Sequence, residues 1–167
     1  MSLYKGVLHM KSLFVAITLV LGLAFMQGRA FSALPKAKPE SGDVAAGRQA
    51  IKVKDFKSAV DNLTKAVEQN PKDADAHTML GYSYRKLGAF NKSIEHYRIA
   101  LKIDPNHRDA HEYLGELYLD LNQPANAEKE LQGLKKACPF FRKCAEYDDL
   151  KEAINRYKTN PRSAAKL

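Results

Sequence analysis

The sequence predicts an all-α fold built from repeated helix pairs, and three observations support this prediction. The stretch DADAHTMLGYSYRKLGAF, which begins at Asp73, returns in modified form as RDAHEYLGELYLDLNQP, which begins at Arg108. Aligning the two stretches places Gly81 over Gly115, an offset of 115 − 81 = 34 residues. Within each unit, apolar residues recur at intervals of three and four, the period of an amphipathic helix. Prolines close the units at the same offset: Pro71, Pro105 and Pro139. A fixed period of this length indicates a repeat architecture.

The N-terminal segment has the composition of a signal peptide. Residues 12–26 read SLFVAITLVLGLAFM, fifteen residues without a charge that directly follow Lys11. Small residues surround Ala30, where a signal peptidase would cut. Residues 1–33 are therefore predicted to be a signal peptide and residues 34–39 a linker, which places the mature chain in the periplasm. The alternative is an uncleaved anchor facing the periplasm, although a spanning helix needs about 20 apolar residues.

The first predicted unit, residues 40–73, shows the repeat pattern least clearly. It has Ala46 and Gly47 where the next unit has Leu80 and Gly81. Its second run of helical periodicity, residues 56–69, matches the later units better, through Ala59, Leu63 and Ala66.

The second and third units, residues 74–107 and 108–141, each read as two helices joined by a short turn. Gly88 is expected to end the first helix of the second unit, because glycine tolerates a positive φ. Pro105 is expected to stop its second helix. Small residues recur at equivalent points of the three units and would let the helices of a pair approach closely: Ala59, Ser93 and Ala127. No single pair buries its apolar face alone, so neighbouring pairs should stack.

A capping helix is predicted over residues 142–158. Its apolar residues are spaced by three and four, which gives one apolar face: Tyr147, Leu150, Ile154 and Tyr157. Such a helix would cover the open end of a stack, as solenoids require. Residues 159–167 lack this pattern and are predicted to be a disordered tail.

Residues 40–139 resemble the tetratricopeptide repeat, a 34-residue helix-turn-helix with Leu-Gly and Tyr in its first helix and a closing proline. The second unit carries the resemblance best, through Leu80, Gly81, Tyr84 and Tyr97. The resemblance implies a right-handed superhelix of three helix-turn-helix pairs plus the capping helix. It also implies a scaffold that binds a protein or peptide partner in a concave groove lined by the first helix of each pair.

Mapping the resemblance onto this sequence gives the predicted partner-binding residues. They are Arg48, Ile51, Lys52, Thr78, Tyr82, Arg85, Lys86, Glu112, Glu116, Leu119 and Asp120. The groove would run from basic to acidic, with Ile51, Tyr82 and Leu119 supplying apolar contact area. Some members of the family clamp a chaperone C-terminal carboxylate with cationic side chains. At the matching positions only Arg48 is cationic, so that activity is not implied.

Cys138 and Cys144 are the only cysteines. A nearby, even pair in an exported protein predicts a structural disulfide. Two buried free thiols and a redox-active pair are the alternatives. The five residues between the cysteines do not match the Cys-x-x-Cys spacing that activates a thiol.

The histidines invite a metal interpretation that the repeat argues against. His107 and His111 are four residues apart, which can place two ligands on one helix face. However, His77 and His111 occupy equivalent repeat positions, so we expect them to pack between helices. His96 is expected at the solvated surface. The sequence therefore predicts no metal and no cofactor.

Charge and motif content restrict the function. The chain carries 27 Lys and Arg against 19 Asp and Glu, a net charge of +8. Basic residues are interspersed with acidic ones, without the basic stripe of a nucleic-acid-binding protein. The sequence has no nucleophile–base pattern, phosphate loop or dinucleotide fingerprint, so no enzymatic activity is expected. Two alternatives to a peptide-binding scaffold stay open: a self-assembling or structural subunit of an envelope assembly, and a thiol-redox accessory protein.

Overall fold

The computed structural model describes residues 40–139 and 143–160, which form seven α-helices and no strand. The helices are α1 Gly42–Lys52, α2 Phe56–Gln69, α3 Ala74–Lys86, α4 Phe90–Ile103, α5 Arg108–Asp120, α6 Pro124–Ala137 and α7 Ala145–Thr159. The predicted signal peptide at residues 1–33, the linker at 34–39 and residues 161–167 of the predicted tail lie outside the described residues. None of the described helices is long and apolar enough to span a membrane.

The helices form three stacked pairs and a cap. Within the pairs, α1 contacts α2, α3 contacts α4, and α5 contacts α6. The second helix of each of the first two pairs also contacts the first helix of the next pair. Helix α7 packs against both α5 and α6, in the position that a fourth pair would begin. The predicted fold class, an all-α stack of three pairs with a capping helix, is confirmed.

The turn inside each pair repeats with the sequence. Lys54, Gly88 and Asn122 have φ of 60°, 75° and 58°, and they are 34 residues apart, since 88 − 54 and 122 − 88 both equal 34. The left-handed backbone at these three residues lets the chain reverse within three residues and begin the second helix of the pair. The prediction for Gly88 is confirmed, and Lys54 and Asn122 adopt the same conformation although neither is glycine.

Glycine lets the paired helices approach closely. A methyl group on Gly47 would lie 2.5 Å from Cγ of Leu63, which is nearer than side-chain contacts allow. In the second pair, a methyl group on Gly81 would lie 2.8 Å from Cδ1 of Tyr97. The first unit thus packs like the second despite its weaker sequence pattern.

The third pair differs because the cap enters its core. The nearest side chain to the Cα of Gly115 on its open side belongs to Leu150 of α7, at 2.5 Å from a methyl group placed there. Leu150, Ile154 and Tyr157 are all buried, as the apolar stripe of the predicted capping helix requires. The Tyr157 hydroxyl donates to Oδ1 of Asn122, which joins the cap to the turn of the third pair.

Candidate functional site

A concave pocket of about 370 Å³ lies between the first helices of the three pairs. We call it the groove. It is lined by Arg48, Ile51, Lys52, Asp75, Thr78, Met79, Tyr82, His107, Asp109 and Tyr113. Five predicted partner-binding residues are among them: Arg48, Ile51, Lys52, Thr78 and Tyr82. The other six predicted residues are not, and their positions are described below.

Aromatic side chains form the floor of the groove. The ring centroids of Tyr82 and Tyr113 are 5.4 Å apart, and Phe56 packs edge-on against Tyr82 at 6.1 Å. The ammonium of Lys86 lies 5.3 Å from the Tyr82 centroid, within cation–π range. Tyr82 and Tyr113 are half-buried, so each presents part of its ring to the groove. Such rigid amphipathic surfaces supply large contact area at low entropic cost.

Arg85, predicted as a groove cation, has carboxylate partners within the chain. Its side chain is only 11% exposed. The Nε and Nη2 atoms donate to Oδ2 of Asp120 at 2.8 and 2.6 Å, and Nη1 donates to Oε2 of Glu116 at 2.7 Å. Three predicted groove residues therefore bind one another, and their charges connect α3 to α5.

Leu119 requires a correction. It is 4% exposed and belongs to the same core cluster as Leu150 and Ile154 of the cap. Its side chain therefore cannot supply the apolar contact area that the sequence predicted for it. The capping helix and α5 share one core, and Leu119 lies in that core.

The two ends of the groove carry opposite charge. At the α1 end, Arg48 is 47% exposed and its Nη2 lies 2.7 Å from Oε1 of Glu40, while Lys52 is exposed. At the other end, Glu112 on α5 is half-buried near further carboxylates. Burial and the neighbouring charges of Glu116, Asp149, Asp109 and Glu146, in that order, raise the pKa of Glu112 to about 7.

His107 connects the groove helices without forming a catalytic site. Its Nδ1 accepts from the backbone N–H of Ala110 at 3.3 Å and so caps α5. Its Nε2 lies 2.9 Å from Oδ1 of Asp75 and 3.4 Å from Oγ1 of Thr78. In a catalytic triad the carboxylate and the hydroxyl bind opposite ring nitrogens. Here both lie on the same nitrogen, so this set holds α3 against α5 and does not activate Thr78.

His77 and His111 pack between helices, as predicted. Nδ1 of His77 lies 3.1 Å from Nδ1 of His96, and its Nε2 lies 3.2 Å from the carbonyl oxygen of Pro71. His96, predicted to be solvated, instead stacks on His77 and on Tyr84. In the third pair, Nδ1 of His111 lies 2.7 Å from Oε2 of Glu130. Across the described ranges, no group of three or more His, Cys, Asp and Glu side chains is arranged to hold a metal ion.

Cys138 and Cys144 form a disulfide, with their Cα atoms 5.9 Å apart. Cys138 follows the last residue of α6 and Cys144 precedes the first residue of α7. The bridge therefore connects the last repeat helix to the capping helix, as the sequence predicted.

Comparison with known families agrees with the repeat. A TPR repeat model matches residues 81–122, and a tetratricopeptide repeat model matches residues 62–95. The chain therefore contains tetratricopeptide repeats. Comparison with curated proteins gives no match.

Solved structures with a similar fold include three that bear on the groove. A crystal structure of MamA is 26% identical, with a TM-score of 0.52 and coverage of 55% of this chain and 53% of that one. The chain thus spans about half the length of that protein. The Arabidopsis OM64 TPR domain is 17% identical, with a TM-score of 0.60 and coverage of 69% and 93%.

The third structure is the first TPR of Spaghetti (RPAP3) bound to the HSP90 peptide SRMEEVD. It is 17% identical, with a TM-score of 0.61 and coverage of 71% of this chain and 91% of that one. At this identity the likeness concerns the fold, which is a superhelical solenoid of helix pairs.

Proposed function

We propose that this chain is a non-catalytic scaffold that binds an extended segment of a partner protein in the groove. The observation that carries the proposal is the aromatic and aliphatic floor. Ile51, Met79 and Tyr82 lie side by side on α1 and α3, at the base of an open cavity edged by charged side chains. Concave, largely apolar sites with a few placed polar groups are the usual form of binding sites.

The peptide complex of the Spaghetti (RPAP3) TPR supports the general mode of binding, since that protein has a similar fold and holds a peptide. Nothing more is carried over from it. The matching positions of this chain lack the cations of a carboxylate clamp, and Arg48 is already paired with Glu40. The proposal therefore concerns an extended segment held by the groove floor, and does not extend to a chaperone C-terminus.

Co-purification with a matched pair of variants tests this proposal. The groove variant is Ile51→Ala/Tyr82→Ala. The control is Val53→Ala/Leu87→Ala, which also removes two apolar side chains, from exposed positions outside the groove. Both variants are first checked for unchanged helicity by circular dichroism. A partner that is retained by the parent and the control but lost by the groove variant would support the groove. Retention of the same partner by all three proteins would exclude the groove as the binding surface.

A second candidate, a structural subunit that assembles through its outer face, has an observation of its own. A cleft of about 520 Å³ lies where α4 meets the end of α5. It is lined by Asn91, Ile94, Glu95, Arg98, Ile99, Lys102, Tyr118 and Gln123. An Ile94→Ala/Ile99→Ala variant that changes the oligomeric state, while the groove variant does not, would favour this candidate.

Export to the periplasm is also part of the proposal. Its supports are the apolar N-terminal stretch at residues 12–26 and the disulfide, which persists in oxidising compartments. The mass of the purified protein tests it directly. Loss of about the first 30 residues would indicate a cleaved signal peptide. A full-length, membrane-associated chain would indicate the anchor instead.

A further inference from the structure

Three carboxylates at the α5–α7 end of the groove have no ion-pair partner in the part of the chain that the structure describes. They are Asp109 and Glu112 on α5 and Asp149 on α7. Asp109 lines the groove itself, and the electrostatic influence of Asp109 and Asp149 on Glu112 places all three in one region. This end of the groove is therefore anionic.

The arginines that lie nearest to this region do not neutralise it. Arg85 donates to Glu116 and Asp120, so that one positive charge serves two carboxylates. Arg108 lies 3.4 Å from Oε2 of Glu146. The acidic groups that remain lie beside the half-buried rings of Tyr82 and Tyr113 on the groove floor.

We infer that the segment bound in the groove is basic. It places a lysine or arginine side chain against Asp109, Glu112 and Asp149, and an apolar or aromatic side chain against Tyr82 and Tyr113. This inference rests on the proposed function and specifies the chemistry of the partner. Complementary charge at this end would also set the direction of the bound segment, because the α1 end of the groove carries Arg48 and Lys52.

The net charge of the chain makes the inference discriminating. At +8 the protein as a whole repels a cationic peptide and attracts an anionic one. Preferential binding of a basic peptide would therefore require a local anionic surface, and the groove is the surface that combines such charge with exposed aromatic rings.

Proton release should accompany binding. The groups that face Glu112 belong to its own helix, to α7 and, through Glu116, to α3. They are Asp109, Tyr113, Glu116, Glu146, Asp149 and Arg85. Because these neighbours hold the pKa of Glu112 near 7, a bound cation would favour its ionised form. The affinity for a basic segment should then rise between about pH 6 and about pH 8.

Fluorescence anisotropy with two labelled peptides tests the inference on the purified protein. One peptide is Gly-Lys-Leu-Lys-Phe-Lys-Gly, and the other has Glu in place of each Lys. The groove variant is Asp109→Asn/Glu112→Gln/Asp149→Asn. The control, Asp61→Asn/Glu68→Gln/Glu95→Gln, removes the same number of carboxylates from exposed positions of α2 and α4. We expect the parent to prefer the basic peptide, and the groove variant to bind it about tenfold more weakly.

The opposite results would overturn the inference. If the acidic peptide binds as tightly as the basic one, the groove does not select cations. If the control loses as much affinity as the groove variant, the basic peptide binds through scattered surface charge. In either case a partner that is lost from Ile51→Ala/Tyr82→Ala but kept by the charge-neutralised variant would leave the proposed function intact.

Discussion

Nε and Nη2 of Arg85 both donate to Oδ2 of Asp120, at 2.8 and 2.6 Å, and so connect the first helices of the second and third pairs. Glu116 accepts from the third nitrogen, Nη1, at 2.7 Å. The fixed fork of a guanidinium suits this arrangement, which a lysine ammonium cannot reproduce. The contact bridges two repeats, so it contributes to the coupling between them.

Arg85→Ala should destabilise the protein markedly. Its removal leaves Asp120 and Glu116 close together and partly shielded from water, with no cation between them. We expect a loss of about 2–3 kcal/mol in the free energy of unfolding, measured by urea denaturation. Arg85→Lys should recover only part of this loss.

The control is Arg48→Ala, which removes an arginine–carboxylate pair that is largely exposed. Such pairs contribute about 0–1 kcal/mol. If Arg85→Ala costs no more than Arg48→Ala, the Arg85 contacts do not couple the repeats.

Two equivalent histidines should respond to pH in opposite directions. Burial lowers the pKa of His77 and also that of His96, whose ring faces it. Burial also lowers the pKa of His111, but the hydrogen bonds to Glu130 and to the Pro105 carbonyl raise it by more, and the net shift is upward. The His77–His96 pair therefore stabilises the fold above about pH 6.5 and loses this contribution as the pH falls.

Replacing His96 by Glu should reverse the pH dependence of the second pair. The substitution gives His77 the carboxylate partner that His111 has in Glu130, since 130 − 96 = 34. The His77 pKa should then rise, so His96→Glu should gain stability relative to the parent between about pH 7.5 and about pH 5.5. Thermal unfolding across this range measures the effect.

The reciprocal variant, Glu130→His, gives the third pair the arrangement of the second. It should lose stability relative to the parent as the pH falls, because His111 would then face another histidine. Parallel pH profiles for the parent and both variants would contradict the assigned roles of the two histidine sites.

Glu112→Gln should stabilise the protein at high pH. The pKa of Glu112 in the folded state, about 7, is above its ordinary value of 4.5. The folded state therefore binds the proton more tightly than the unfolded state, and stability falls as the pH rises through 7. After allowance for solvent screening of this half-buried group, we expect the variant to be about 1 kcal/mol more stable than the parent near pH 8.

The same Glu112→Gln substitution should have little effect near pH 4.5, where the carboxyl group is protonated in both variants' reference states. Glu68→Gln, at an exposed position of α2, is the control and should change stability little at either pH. An equal gain at both pH values would show that the effect of Glu112→Gln is not electrostatic.

Much of the fold could be predicted because the 34-residue period states the same local structure three times. Gly88 and the apolar stripe of the cap needed only local patterns. Lys54 and Asn122 gave no such signal, because their side chains do not favour a positive φ as glycine does. Their position 34 residues before and after Gly88 was the available clue.

The candidate site was harder to predict, because it depends on which residues of different repeats meet. Arg85 and Asp120 are 35 residues apart, one more than the repeat, and this spacing places opposite charges on adjacent helices. Leu119 is buried because α7 and α5 share a core, which the repeat pattern does not describe. The histidine pairs likewise depend on the residue that faces each ring, which is His96 in one pair and Glu130 in the next.

Tyr97→Phe should stabilise the protein, which is unusual for a substitution at a fully buried position. The ring packs against Gly81, and phenylalanine would keep that contact. The hydroxyl oxygen, however, is buried without a hydrogen-bond partner among the described residues. Burial also raises the pKa of Tyr97, so the group stays neutral. Removing an unsatisfied buried hydroxyl should increase the free energy of unfolding by about 1 kcal/mol.

Tyr118→Phe is the matched control, because the Tyr118 hydroxyl accepts a hydrogen bond from Nη2 of Arg98 at 2.9 Å. Its loss should cost about 0.5–1.5 kcal/mol. Urea denaturation of the two variants should therefore give shifts of opposite sign. If both are destabilised, the Tyr97 hydroxyl has a partner such as a buried water, which would fix the second pair more firmly than ring packing alone.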